Sequence, residues 1–340
     1  MTEATAYPST LLEGLSEPAL IARDRRVLAS NDAARQLLGA EIDGQSVEGV
    51  IAHPAALEAL ERIGSDEAEE VELTGLGKSR RHWLMRVAPL TDGTMLIRFV
   101  DRSEARAAEQ MRVDFVANAS HELRTPLSTL IGYTETLREQ GEAIDEETRE
   151  RFLSVVHEEA RRMQRIVEDL ISLSRIEAEK FSAPTDAVDL RPLIEQALDG
   201  LRRIAEERGS LLVPDVDREL PPVAADRSQI LQLLDNLITN ALRYGEPGTP
   251  VRLSAHAEGS MVHLEVADEG EGIAPEHIKR VTERFYRVDT SRSRSLGGTG
   301  LGLSIVKHIV ERHRGRLTID SKLGEGTTVH VFLPIAPGES

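Results

Sequence analysis

The segment that decides the fold lies inside a long predicted helix and reads Ser120-His121-Glu122-Leu123-Arg124-Thr125-Pro126-Leu127. Pro126 is unusual there, because a proline inside a helix deletes a backbone hydrogen bond and frees the carbonyl of Glu122, four residues earlier. Helical spacing puts Glu122 beside His121 and Thr125 one turn away, so all three can share an exposed surface. A neutral imidazole is a nucleophile, and a neighbouring carboxylate can accept its other ring proton. The segment therefore indicates a reactive histidine; for the His-Glu pair alone, a solvated surface histidine is the alternative.

The surrounding residues, 103–180, predict a helical hairpin. Gly141 is a predicted helix end, and Asp145 is a predicted N-cap of the second helix. Apolar residues of the second helix repeat at steps of 7, 3, 4 and 3, namely Val156, Met163, Ile166, Leu170 and Leu173. This is a heptad seam, and a rougher stripe follows the first helix. Because one hairpin hides little apolar surface, we expect two copies to pair as a four-helix bundle in a homodimer.

Composition excludes several classes of protein. A chain of 340 residues suggests two or three domains at about 150 residues each. The net charge of −17 argues against direct nucleic-acid binding, because phosphate backbones repel an acidic protein. The absence of cysteine excludes disulfides, thiolate metal sites and a cysteine nucleophile. With no run of 18 apolar residues and no signal-peptide pattern, we expect a cytoplasmic protein, held at the inner face of a membrane only by a partner or a segment outside this chain.

Two further blocks flank the hairpin. Residues 1–102 combine short strand patterns with Gly and Asp turn signals and one predicted helix at 31–38, which predicts a small α+β domain. Residues 181–340 begin with the helix-breaking linker 182–184 and then alternate helical and strand patterns. The helices predicted there are 190–208, a helix capped by Asp226 and ended by Gly245, and 301–312, stopped by Gly315; the predicted strands are 251–255, 261–267, 317–320 and 328–333.

The last block contains short motifs with predicted chemistry. Asn236 and Asn240 are four residues apart and share a helix face, and amide oxygens suit Mg²⁺. Asp268 directly follows a predicted strand and begins the motif Asp268-Glu269-Gly270-Glu271-Gly272-Ile273-Ala274-Pro275. The glycines of that motif allow close backbone approach. A carboxylate at a strand end can accept a hydrogen bond from an exocyclic amine.

A glycine loop, 297–302, opens the helix predicted at 301–312. A helix N-terminus after such a loop offers N–H donors and a favourable dipole to phosphates. The loop is not a Walker A motif, because no Gly-Lys-Ser/Thr closes it, and no βαβ unit surrounds it as in a Rossmann fold. Residues 289–298, rich in Ser, Arg and Gly, predict a mobile lid.

The order and spacing of these motifs over residues 105–334 resemble those of two-component sensor histidine kinases, including the phosphate-regulon sensor type. Residues 19–34 and 101–104 are similar to the opening and exit of PAS sensor domains. The resemblance implies a multidomain α+β protein: a PAS-like α/β sensor domain at 1–102, a dimerisation and histidine phosphotransfer hairpin at 103–180, and an ATP-binding α/β sandwich of the GHKL type at 181–340.

The resemblance also implies roles for individual residues. His121 would receive the γ-phosphate of ATP, Glu122 would act as its base, and Thr125 would position water for dephosphorylating the partner. Asn240, helped by Asn236, would hold Mg²⁺. The residues implied to bind ATP are Asn236, Asn240, Arg243, Tyr244, Asp268, Gly270, Gly272, Ile273, Phe285, Arg287, Gly298, Thr299, Gly300, Leu301, Gly302, Leu303 and Thr327. The family more often has lysine where this chain has Arg243, which keeps the charge but changes the donor geometry.

The expected activity is autophosphorylation of His121 from ATP, transfer of the phosphoryl group to a response-regulator aspartate, and dephosphorylation of that regulator. The alternatives are a regulator phosphatase or scaffold with little kinase activity, and a GHKL ATPase of another kind. Of the remaining nine histidines, His157 lies on the second predicted helix, where it can face the bundle surface. The other eight show no ligand spacing on any one element, so we interpret them as structural: His53, His82, His256, His263, His277, His308, His313 and His330.

Overall fold

The computed structural model describes residues 9–62, 68–76, 81–90, 93–140, 143–179, 181–288 and 298–337. The chain divides into two compact units, Met1–Asp114 and Phe115–Ser340. The predicted helix end at Gly141 and residues 289–297 of the predicted lid lie outside the described residues. Among the helices that are described, none combines the length and apolar character needed to cross a membrane.

The first unit contains a five-stranded antiparallel sheet in the order β2-β1-β5-β4-β3. The strands are β1 (Ala19–Arg23), β2 (Arg26–Ser30), β3 (Glu69–Thr74), β4 (His82–Pro89) and β5 (Thr94–Asp101). The helices are α1 (Ser9–Glu13), α2 (Asp32–Leu38), α3 (Val47–Val50) and α4 (Pro54–Arg62). Alternate residues of the central strands, such as Ile97 and Phe99, are fully buried in one core, which follows from the period-two pattern of a half-buried strand.

Buried Asn31 links α1, β1 and α2 by hydrogen bonds. Its Oδ1 accepts hydrogen bonds from the N–H groups of Ala19 and Ala34, so it caps α2. Its Nδ2 donates to the carbonyls of Leu12 and Glu17 among others. A buried amide with all of these partners is a structural residue, because its polar atoms are satisfied.

The helical hairpin consists of α5 (Ser103–Gln140) and α6 (Glu146–Ala178). Asp145 caps α6, accepting from the Thr148 N–H at 2.8 Å, as predicted. The helix α5 continues through Pro126, which is buried. The α6 seam buries Ile166 and Leu173, whereas other apolar side chains of the hairpin are exposed: Val116, Leu127, Ile131, Leu153, Val167 and Ile171. The hairpin thus has a second apolar face, on which none of the described residues packs closely enough to bury these side chains.

The rest of the second unit packs helices against one face of a second sheet, ordered β11-β12-β10-β9-β7. Its strands are β7 (Leu211–Val216), β9 (Pro250–Glu258), β10 (Met261–Asp268), β11 (Arg316–Lys322) and β12 (Gly326–Pro334), and β6 (Ala187–Val188) pairs separately with β8 (Val223–Ala224). Its helices are α7 (Arg191–Glu207), α8 (Arg227–Tyr244), α9 (Pro275–Ile278) and α10 (Gly302–Arg312). Asp226 caps α8 and Gly245 ends it, as predicted.

One strand of this sheet was not predicted. β7 pairs parallel to β9 at the sheet edge, whereas the other pairs of this sheet are antiparallel. Its residues are mostly exposed and include Pro214, which lacks an N–H, so no clear alternation marks it as a strand. Its place at the edge explains why the proline is tolerated.

Candidate nucleotide and phosphoacceptor site

A cavity of about 650 Å³ lies between α8, the end of β10, the loop before α10 and one face of α6. This volume is in the range of small-molecule binding sites. Most residues predicted to bind ATP line it: Asn236, Asn240, Arg243, Tyr244, Asp268, Gly272, Ile273, Arg287, Gly298, Thr299, Gly300, Gly302, Leu303 and Thr327. Segments far apart in sequence therefore converge on one cavity.

Three predicted residues support the wall from behind instead. Leu301 is fully buried in the core. The Phe285 N–H donates to the Gly300 carbonyl at 2.8 Å, and its ring packs on Phe115, with centroids 5.9 Å apart. The Gly270 N–H donates to Asp268 Oδ1 at 2.9 Å. These residues position the lining residues rather than face the cavity.

Asp268 is the buried acid of the cavity. It ends β10, and its carboxylate accepts hydrogen bonds from the backbone N–H groups of Gly270 and Thr327. Burial nevertheless raises the pKa of Asp268 to about 6, because desolvation penalises the charged form more than the two donors favour it. At neutral pH this carboxylate is ionised and able to accept an N–H from an amine of a bound ligand.

The loop at 298–301 presents backbone to the cavity. Gly300 has a φ of +72°, and a Cβ there would meet the Phe285 backbone at 2.9 Å, so glycine is required. Thr299 Oγ1 donates to Asp169 Oδ2 at 2.8 Å and accepts from the Leu301 N–H. The following helix α10 is 11 residues long, and its N-terminus is at the cavity, which favours an anionic ligand.

The asparagine pair lies beside this helix N-terminus. Asn236 Nδ2 donates to the Gln232 carbonyl at 2.9 Å. Its Oδ1 would lie 2.8 Å from a Cβ built on Gly302, so glycine leaves open the space next to that oxygen. The pair thus offers a hard oxygen donor where a phosphate-bound cation would lie, which fits Mg²⁺.

Helix α6 contributes residues that sequence reasoning missed. Arg165, Glu168 and Asp169 line the cavity from the hairpin side. Burial raises the pKa of Asp169 and lowers the pKa of Arg243, which also lines the cavity. No sequence signal marks these α6 residues, because their role depends on how the hairpin packs against the nucleotide-binding part of the same unit.

The phosphoacceptor segment reaches the same site through Glu122. His121 is exposed on α5, and Thr125 Oγ1 donates to the His121 carbonyl at 3.4 Å. Glu122 Oε2 accepts from Arg162 at 3.2 Å and from Arg287 at 2.9 Å. The Arg287 side chain is 5% exposed and also lines the cavity. One arginine therefore joins the nucleotide cavity to the residue next to His121.

Comparison with known proteins defines the class. Residues 225–337 match the family described as "Histidine kinase-, DNA gyrase B-, and HSP90-like ATPase", and residues 111–179 match "His Kinase A (phospho-acceptor) domain". An ATPase fold of this type joined to phosphoacceptor helices is the arrangement of a histidine kinase. The two matches coincide with the cavity and with the hairpin that carries His121.

Whole-chain similarity gives the family. The chain is 33% identical to the phosphate regulon sensor protein PhoR of Pseudomonas aeruginosa, over 94% of this chain and 73% of that protein. It is 38% identical to the sensor histidine kinase WalK of Bacillus subtilis, over 72% of this chain and 40% of that protein. The chain belongs to the sensor histidine kinases, whose reaction is the ATP-dependent phosphorylation of a histidine. The predicted family, fold class and enzyme class are thereby confirmed.

A solved structure shares the fold over nearly all of the chain. It is the histidine kinase ThkA in complex with the response regulator protein TrrA, with a TM-score of 0.50, 20% identity, and coverage of 97% of this chain and 99% of that one.

Proposed function

We propose that the imidazole of His121 attacks the γ-phosphorus of Mg·ATP. A nitrogen–phosphorus bond forms, the bond to the β–γ bridging oxygen breaks, and ADP leaves with that oxygen. The imidazole proton goes to Glu122, acting as the base. The observation that carries this proposal is Arg287, which lines the cavity and binds the carboxylate next to His121.

Arg287 has the geometry of a group shared between two anions. One of its terminal nitrogens binds Glu122, while its Nε is buried and has no hydrogen-bond partner among the described residues. A buried donor without an acceptor is costly, so an incoming phosphate oxygen is a favourable partner. Transfer of Arg287 from Glu122 to the triphosphate would remove one of the two arginines bound to the carboxylate, which could then take the proton of His121. This exchange couples nucleotide binding to activation of the histidine.

The other cavity residues have complementary roles. Asp268 accepts a hydrogen bond from the exocyclic amine of adenine. The N-terminus of α10, together with the loop at 298–301, binds the phosphates. Asn240, helped by Asn236, would hold Mg²⁺, which would supply positive charge to neutralise the transferring group. Phosphoryl transfer then depends mainly on positioning and on electrostatic stabilisation.

We further propose that the chain acts as a homodimer. The exposed apolar side chains of the hairpin, such as Val167 and Ile171, provide a surface for a second copy. The predicted acceptor is an aspartate of a response regulator, a class of protein that binds ThkA, the kinase of similar fold. Thr125 lies one helical turn after His121 and would position the water that dephosphorylates the regulator.

The domain organisation follows the same proposal. Residues 1–102 form a PAS-like sensor domain, which the five-stranded antiparallel sheet with helices between β2 and β3 supports. Residues 103–180 form the phosphotransfer hairpin and residues 181–340 the catalytic domain. Similarity to PhoR supports the phosphate-regulon sensor type. The use of ATP favours the cytoplasm as the compartment of the catalytic part.

The test is labelling with ATP that carries a γ-phosphate label, in the presence of Mg²⁺. We expect an alkali-stable, acid-labile label on the parent and on His157→Gln, a matched variant of an exposed histidine on the neighbouring helix. We expect none on His121→Gln. Labelled parent should then lose its label to a response-regulator receiver domain. ATP hydrolysis with no phosphohistidine would instead favour another type of ATPase.

A further inference from the structure

The outer face of the second sheet, opposite the helices, carries two histidines in contact. His263 on β10 and His330 on β12 lie on adjacent antiparallel strands, and Glu265 pairs directly with His330 in the register. His263 Nε2 is 3.1 Å from His330 Nδ1, and Glu265 Oε2 is 3.4 Å from the same Nδ1. Among the described residues, these three form a group whose ligand atoms all lie within 4.8 Å of one another.

These distances fit one metal ion. An ion about 2.1 Å from each donor would see the two nitrogens at an angle of about 95°, and the His330 nitrogen and the carboxylate oxygen at about 110°. The first angle is about 15° below the tetrahedral value and the second is close to it. Three protein ligands then leave a fourth position for water. Two imidazoles and one carboxylate are a donor set for zinc or a similar late first-row divalent ion rather than for Mg²⁺ or Ca²⁺.

The outward-facing nitrogens of the two rings also have acidic partners. His330 Nε2 is 3.2 Å from Asp320 Oδ2 on β11, and His263 Nδ1 is 3.6 Å from Glu258 Oε2. Metal-bound histidines typically donate their other N–H to a carboxylate, which fixes the ring and makes it a better ligand. The cluster thus contains both the ligands and the outer carboxylates of such a site.

Packing holds the rings in place. The His263 ring stacks on Phe332, with centroids 4.4 Å apart and planes 9° apart. The Arg316 guanidinium lies 4.2 Å from the centroid of the Phe332 ring. The side chains of His263 and His330 are only 22% and 17% exposed. Ligands held in this way lose little freedom when an ion binds.

We propose that His263, Glu265 and His330 form a binding site for one zinc-type divalent transition metal, with Asp320 and Glu258 as outer partners. The site joins β10 to β12. β10 ends at Asp268, and β12 begins near Thr327. These two residues pair with each other at the nucleotide cavity. Bound metal therefore stabilises the two strands that form that wall. The binding itself does not depend on the proposed kinase function.

The experiment is calorimetric titration of the untagged full chain with Zn²⁺, in excess Mg²⁺ and without nucleotide. We expect one ion per chain with a micromolar or tighter Kd and a higher melting temperature. The variants His330→Gln and Glu265→Gln should bind about 100-fold more weakly or not at all, because losing an outer partner alone costs about 10–100-fold. The matched control His157→Gln should bind as the parent does.

A second readout tests the geometry. Co²⁺ in a four-coordinate site should give intense visible absorption that Asp320→Asn weakens and His330→Gln abolishes. Circular dichroism of each variant shows whether it folds. If a histidine variant does not fold, Glu265→Gln still tests the site, because glutamine is close in shape to glutamate. Absence of stoichiometric Zn²⁺ binding to the parent, or equal binding by the folded parent, Glu265→Gln and His330→Gln, would overturn the proposal.

Discussion

Replacing Asp268 by asparagine should stabilise the nucleotide-free protein while weakening ATP binding. Burial raises the pKa of this carboxyl from 3.8 to about 6. The sign follows from linkage: a raised folded-state pKa means that the charged carboxylate destabilises the fold, so stability falls as the pH rises between these two values. Asparagine keeps the shape of the side chain and removes its charge, so the stability of the variant should not fall over this pH range.

The magnitude follows from the same shift. Two pKa units correspond to about 3 kcal/mol at 1.36 kcal/mol per unit, as an upper limit. The carboxylate faces a cavity open to solvent, so screening reduces the effect to about 1–2 kcal/mol. For a unit of this size, that is a rise in melting temperature of about 3–6 °C. ATP should bind about 10-fold or more weakly, since a hydrogen bond to a charged acceptor is replaced by one to a neutral acceptor.

The assay is thermal unfolding of the parent and of Asp268→Asn between about pH 4 and pH 8, with and without Mg·ATP. The transition to follow is the one whose melting temperature ATP raises in the parent. The two curves should nearly coincide at pH 4, where Asp268 is neutral in the folded parent, diverge between about pH 4 and pH 6, and stay a constant distance apart above pH 6. The matched control is Asp199→Asn, at a carboxylate that is 69% exposed. A stability difference that is independent of pH, or a variant less stable than the parent at pH 8, would refute the reasoning.

The remaining predictions concern the rest of the site and the hairpin. Arg287→Gln should lower the rate of autophosphorylation at saturating ATP by about 10²–10³-fold, as expected for loss of a transition-state donor; a parental rate in label incorporation would contradict this, and the exposed Arg280→Gln is the control. Thr125→Ala should slow regulator dephosphorylation about 10-fold or more while autophosphorylation persists; an unchanged dephosphorylation rate would exclude the role of Thr125. Ile171→Glu places a charge on the exposed apolar face and should shift dimer to monomer in light scattering at micromolar concentration; a variant that stays dimeric would show that another surface joins the copies.

The sequence predicts best where local rules decide the structure. Asp145 and Asp226 cap the helices that their positions predicted, because capping involves only the next few residues. The central strands were predicted from alternation, whereas edge strand β7 was missed because its residues are mostly exposed and include a proline.

Contacts between distant elements could not be predicted in this way. Asp169 lines the cavity only because α6 packs beside it, and no motif marks that position. His263 and His330 are 67 residues apart, and the strand register alone brings their rings together. From the sequence both histidines are interpreted as structural, because neither shows ligand spacing to another histidine on its own strand. Chemistry assembled across strands is therefore visible only in the fold.

The most direct test of the central claim is to map where the phosphoryl group is bound. The parent chain is incubated with Mg·ATP, digested, and analysed by mass spectrometry under alkaline conditions that preserve phosphohistidine. Phosphate on the peptide that carries His121, and none on the peptide that carries His157, is the predicted result. Phosphate on another residue, with His121 unmodified in a chain that binds and hydrolyses ATP, would contradict the account.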